Sequence, residues 1–220
     1  MSIKAPFKSS IPLSVSQEYG NTSNNEWYKA NGILAPFHSG TDIYFGDFRQ
    51  TFGTPCLCPF DNASVVNVWW SDPHTTKGNG VTIQSESIDG VIWQVVFWHT
   101  CEVKVKIGDK LKLGDIVCYV GNSGLCTPPR SILSPFAGSH CHLMLFKYVL
   151  TTKPNGSEYI LQDEDNLVGG ARNPRELFDF TQCQETGEDT GFSQDMWSIS
   201  DFVKDMTPDI LVKYFKYLGF

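Results

Sequence analysis

Five histidines occur in the 220 residues, and four of them fall into three short motifs: His38-Ser39-Gly40-Thr41-Asp42, Trp98-His99 and His140-Cys141-His142. A histidine followed four residues later by an aspartate, with a His-x-His far downstream, is a pattern suited to a metal site. Neutral imidazole and carboxylate suit Zn²⁺, and three protein ligands with an open fourth position make a catalytic rather than a structural centre. Four imidazoles and one carboxylate exceed what such a centre needs as ligands. The surplus is what hydrolysis requires, because imidazoles beside an attacking water move protons near neutral pH.

Each motif also has a plainer reading. Ser39-Gly40 is turn chemistry, and aspartate is common in turns, so His38 and Asp42 alone fit a turn. His140 and His142 are harder to dismiss, because alternation on a strand puts both imidazoles on one face with Met144 and turns Cys141 to the other. The plain reading of the whole set needs four of five histidines to cluster by accident. His74, in Ser71-Asp72-Pro73-His74-Thr75, has no ligand-like neighbour and reads as a surface residue.

The elements that must position these groups read mainly as short strands. Val81-Thr82-Ile83-Gln84 alternates, Asp89-Gly90 signals a hairpin, and the apolar run 91–98 ends on His99. Alternation puts His99 on the face of Phe97, Val95 and Trp93. Gly108-Asp109 and Gly114-Asp115 punctuate further short strands. A proline-containing loop fills 127–137, and residues 139–148 read as a strand. Asn173-Pro174 reads as a turn into a short helix. Repeated strands with turns and no βαβ alternation predict a mainly β, antiparallel sheet or sandwich.

The domain reading is a lead-in over 1–12, one metal-binding domain over 13–181, and an appendage over 182–220. That appendage begins as an acidic linker and ends in an amphipathic helix. Thr207 is its N-cap and Pro208 its first helical residue, and Ile210, Leu211, Tyr214, Phe215 and Leu218 form its stripe. The net charge of -7 and the lack of a long basic run disfavour a nucleic-acid partner. No stretch is long and apolar enough for a membrane helix, and the N-terminus has no apolar signal-peptide core. Seven irregularly spaced cysteines fit free thiols better than a disulfide framework.

The chain resembles the lysostaphin/LytM-type zinc metallopeptidases. His38-Ser39-Gly40-Thr41-Asp42 is similar to their first motif, His140-Cys141-His142-Leu143 to their terminal His-x-His, and Trp98-His99 to their aromatic-x-His strand end. Gly121-Asn122-Ser123-Gly124 closes a similar glycine-punctuated hairpin. Asn173-Pro174 resembles the end of the domain, so the likeness runs over about 13–180. It implies an antiparallel β fold with the site in a loop-walled groove. It implies Zn²⁺ on His38, Asp42 and His142, with His99 and His140 as the catalytic pair.

The implied substrate is bacterial peptidoglycan, cut in a stem peptide or a cross-bridge. The loop 125–139 is longer than the resemblance leads one to expect, and the extension after Gln184 has no counterpart in it. With no signal peptide and a wall substrate, export logic suggests a protein made in the cytoplasm that acts on the cell wall as a phage lysin or virion enzyme. The terminal helix would then dock on phage structural proteins. The competing reading is a structural or binding module of a phage tail or cell-wall machine that keeps the fold without the activity. Completeness of all five positions favours the enzyme.

Overall fold

The computed structural model describes residues 3–32, 37–70, 77–131, 133–163 and 170–183. Gln182 and Cys183, where the sequence predicts the linker to begin, instead end the strand Phe178–Cys183, because Cys183 continues its pairing. The rest of the linker, the terminal helix and His74 lie outside the described residues. In chain order the strands are β1 (Ile3–Ala5), β2 (Leu13–Gln17), β3 (Thr41–Phe45), β4 (Pro55–Leu57), β5 (Ala63–Trp69), β6 (Gly80–Ser85) and β7 (Val91–Trp98). They continue as β8 (Glu102–Val103), β9 (Lys110–Leu111), β10 (Ile116–Tyr119), β11 (Cys141–Thr152), β12 (Glu158–Gln162) and β13 (Phe178–Cys183). Two short helices, α1 (Asn25–Ala30) and α2 (Phe48–Thr51), interrupt them. The fold is mostly antiparallel β, as the spacing of strands and turns predicts.

The main sheet has eight strands, ordered β2-β3-β11-β7-β6-β5-β9, with β12 also paired to β11. A three-stranded sheet, β4-β10-β8, supplies a second layer, and β1 pairs with β13. β11 is the hinge of this arrangement. Its first residues pair with β3, most of its length pairs with β7, and its far end pairs with β12.

Alternation along β11 explains which face does what. Cys141, Leu143 and Leu145 point into the core, where they join Ile43, Phe45, Val95, Phe97 and, from the small sheet, Cys56 and Cys118. His142 and Met144 point to the opposite face. A one-residue slip would exchange the two sets, so burial of the core face fixes the register that exposes the histidines to one another.

Two local signals read from the sequence are visible here. Asp89 and Gly90 both take positive φ, 52° and 79°, as a tight hairpin requires. Asn173 caps the short 3-10 turn Pro174–Glu176 by accepting from the Arg175 N–H. The polar start of the chain behaves differently from its composition. β1 pairs in parallel with β13, and Phe7 is fully buried, edge-on to Phe45 and Phe97. A single aromatic anchor in a polar stretch has no periodicity, so pattern reading does not find it. The sequence-predicted free thiols are free, and Cys56, Cys58, Cys118, Cys126 and Cys141 are buried.

Candidate metal centre

Register assembles the first half of the site. Asp42 on β3 lies opposite His142 on β11, and His142 lies opposite Trp98 on β7. Three adjacent strands of one sheet thus carry a carboxylate, an imidazole and an indole in a row. Asp42 Oδ1 is 2.9 Å from His142 Nδ1 and 3.1 Å from His38 Nε2. The His140 Nε2 lies 3.7 Å from the same oxygen. With the His99 ring 4.6 Å from that of His140, the structure brings together all five residues that the sequence singled out.

The hydrogen bonds on the far sides of the rings decide which lone pairs face inward. His38 Nδ1 donates to the Glu18 carbonyl at 3.1 Å, His99 Nδ1 to the Ser123 carbonyl at 2.7 Å, and His140 Nδ1 to the Gly138 carbonyl at 2.7 Å. A carbonyl can only accept, so Nδ1 carries the proton and Nε2 keeps its lone pair in each ring. His142 is turned the other way. Its Nδ1 faces Asp42, and its Nε2 lies 3.3 Å from Ser39 Oγ. Such outer hydrogen bonds orient imidazole ligands.

His38, Asp42 and His142 form a group whose donor atoms could hold a metal ion. Bond lengths of about 2.0 Å to a tetrahedral ion place neighbouring donors about 3.3 Å apart. The 2.9 and 3.1 Å separations from Asp42 Oδ1 come close to that spacing, so the N/N/O set fits Zn²⁺. Gly40 makes the fit possible. A Cβ there would stand 2.5 Å from the Leu143 carbonyl oxygen and 2.8 Å from His142 Nε2. The turn between His38 and Asp42 can lie against β11 only without a side chain at this position.

Charge and burial compete at every group. Burial works against the Asp42 carboxylate, yet the surrounding imidazoles of His140, His142 and His38 outweigh it and hold the carboxyl well below its usual range. Burial pushes His142 down to about 4 despite Asp42. It also lowers His99, against the Ser123 carbonyl. His140 goes the other way. Burial lowers it, but the Asp42 charge and Cys126 together raise it.

His99 corrects the alternation argument. On a continued strand it would share the core face of Phe97 and Val95. Its φ of 62° instead lies in the left-handed region, and its ring sits 4.6 Å from that of His140. A left-handed residue other than glycine costs about 1–2 kcal/mol, so surrounding contacts must hold it. Ser123 supplies them. Its carbonyl accepts from His99, and its hydroxyl ties the Thr100 carbonyl to the Asn79 N–H.

Several residues at the site escaped sequence reading as participants. Trp98 stacks on His142 with ring centroids 4.7 Å apart and planes 19° from parallel. Its place beside His99 was the available signal. Ser39 and Ser123 act through a hydroxyl and a carbonyl that no spacing rule marks. Cys126, on the loop 125–139, brings its thiol within 4.8 Å of the ligand nitrogens of His99 and His140. Asn122 holds that loop by donating to the Pro135 and Ala137 carbonyls at 2.8 and 2.9 Å.

No protein-family model matches the chain. Among curated proteins it is 33% identical over 92 residues to the glycyl-glycine endopeptidase ALE-1 of Staphylococcus capitis, covering 42% of this chain and 24% of that protein. It is 31% identical over 106 residues to lysostaphin of Staphylococcus staphylolyticus, covering 47% of this chain and 21% of that one. The match thus spans about a quarter or less of these relatives' length. Among solved structures, the catalytic domain of lysostaphin from Staphylococcus simulans aligns with a TM-score of 0.46 at 21% identity, covering 74% of this chain and 90% of that one.

Proposed function

We propose that this chain is a peptidase of the lysostaphin/LytM type, a zinc-dependent endopeptidase that hydrolyses peptide bonds of bacterial peptidoglycan. One observation carries the proposal. Two imidazole nitrogens converge on one carboxylate oxygen, and two more imidazoles stand beside them with Nε2 unprotonated and Nδ1 tied back. The first three groups are a ligand set and the last two are proton carriers. The endopeptidase assignment draws on the named glycyl-glycine endopeptidase activity of the relative from Staphylococcus capitis, and the peptidoglycan substrate on the motif resemblance.

His38 Nε2, Asp42 and His142 Nδ1 would hold the zinc. When bound, Zn²⁺ supplies Lewis acidity, polarising the scissile carbonyl and acidifying the attacking water. The chain's own groups do the rest. His99 and His140 accept the water's proton at Nε2 and return it to the leaving amine, a role worth about 10²–10⁴ in rate. Their Nδ1 bonds to Ser123 and Gly138 keep both rings aimed while the proton is held. The Trp98 plane shields one side of His142 from water and keeps its ring from turning. A purely structural role would leave such proton carriers without a task.

The test is digestion of purified peptidoglycan of several cross-link chemotypes by the full chain. New amino termini should appear, vanish after chelation, and return with one equivalent of zinc. No peptide-bond cleavage of any chemotype by zinc-loaded protein would refute the proposal.

A further inference from the structure

Beside the first donor set stands a second, made by His99, Cys126 and His140. Their ligand atoms all lie within 4.8 Å of one another. His99 and Cys126 are only 5% and 4% exposed, so neither group is a casual surface neighbour. His99 and His140 both present Nε2, because their Nδ1 atoms donate to carbonyls. The Cys126 Sγ sits 3.6 Å from the Ser123 carbonyl that also holds His99. One backbone oxygen therefore positions two of the three donors.

We propose that His99, Cys126 and His140 form a second, weaker metal site selective for thiophilic divalent cations, whose occupation shuts off the proton-carrying pair. The chemistry of the donors sets the selectivity. The first set is two nitrogens and a carboxylate, while this one is two nitrogens and a sulfur with no carboxylate. Thiolate favours Zn²⁺ and Cd²⁺ over the oxygen-seeking Mg²⁺ and Ca²⁺. Binding releases the thiol proton to solvent, and the two Nε2 lone pairs go to the metal.

The second site is weaker for a geometric reason. His140 Nε2 is 3.7 Å from Asp42 Oδ1, so the donor sets adjoin. Two cations held there repel each other strongly in buried surroundings. The ion also consumes both imidazoles that carry protons in the reaction. Excess thiophilic metal thus inhibits without displacing the first ion. Cys126 belongs to the loop 125–139, so the device depends on that loop being anchored by Asn122 and by Gly138. The latter leaves no room for a Cβ, which would meet the Pro128 carbonyl oxygen at 2.4 Å.

This inference rests on the reading that His38, Asp42 and His142 hold the first metal. The experiment is titration of the metal-free full chain, under reducing conditions, with Co²⁺. Thiolate-to-cobalt charge transfer in the near ultraviolet reports the sulfur. The first equivalent should bind without that band, and a second, weaker equivalent should bring it. Cys126→Ser should keep the first equivalent and lose the band, with the second affinity falling about tenfold or more. His99→Ala should lose the band with the thiol intact, which guards against misfolding of the cysteine variant. In the zinc-loaded enzyme, the Cd²⁺ concentration that halves the rate should rise about tenfold or more in Cys126→Ser.

A first equivalent without any later thiolate band would overturn the second site and leave the proposed function standing. A band that survives in Cys126→Ser would assign the sulfur to another thiol and likewise overturn it. A band arriving with the first equivalent would overturn the ligand assignment itself.

Discussion

Asp42 and His142 face each other across paired strands, whereas His99, Cys126 and His140 are held from loop segments by backbone carbonyls. The two groups adjoin at a single carboxylate oxygen, yet their support differs. The strand pair is fixed by the core beneath it, because shifting β11 by one residue would turn His142 into the apolar core. The loop group is fixed by a left-handed backbone at His99 and by individual hydrogen bonds. Under the proposed function, a ladder would give a rigid ligand set, and carbonyl anchors would give rings of fixed tautomer that still approach the substrate. Holding a metal and moving a proton should therefore be separable by mutation.

The largest effect is expected from the strand group. His142→Ala or Asp42→Ala should release the metal and abolish hydrolysis, as metal analysis of the purified variants would show. Near-stoichiometric zinc in both would remove the distinction between the two groups.

Next comes the carbonyl-anchored pair. His99→Ala and His140→Ala should keep most of the metal while kcat/KM falls about 10²–10⁴. A variant of either residue that cleaves at the original rate takes that residue out of the mechanism.

Gly40→Ala probes the contact between turn and ladder. The added Cβ meets a backbone oxygen at 2.5 Å, which cannot swing aside as a side chain can. A loss of about 1–3 kcal/mol of stability, read by denaturant unfolding, should accompany weaker metal binding. An unfolding midpoint equal to the parent's would show that β3 and β11 are not as tightly joined as this geometry indicates.

The smallest effect belongs to Trp98→Leu, which keeps an apolar cover and removes the ring stack on His142. The stack is worth about 0.5–1.5 kcal/mol, so metal affinity should fall by about tenfold at most. A loss as large as that of His142→Ala would make Trp98 part of the strand group's rigid frame rather than a cover over it.

Much of this was legible in the order of residues. The two-residue period of β11 predicts that His140 and His142 share a face and that Cys141 turns away from them. The place of Cys141 in the core beside Ile43 and Phe97 follows from that period. Asp89-Gly90 and the Gly108 and Gly114 turns announce themselves, because positive φ selects so few residue types. The histidine motifs point to the proposed chemistry, since few other functions need those residue types so grouped. Pairing across the chain is another matter. Asp42 and His142 are 100 positions apart, and only the packed core decides that they stand opposite each other. Ring orientation rests on the carbonyls of Glu18, Ser123 and Gly138, which every residue type possesses and which therefore leave no trace in sequence. For the same reason His99 broke its strand's alternation unannounced, and Cys126 became a neighbour of two histidines only when its loop closed. Local patterns encode periodicity, while convergence of distant groups is set by tertiary contacts that no single segment contains.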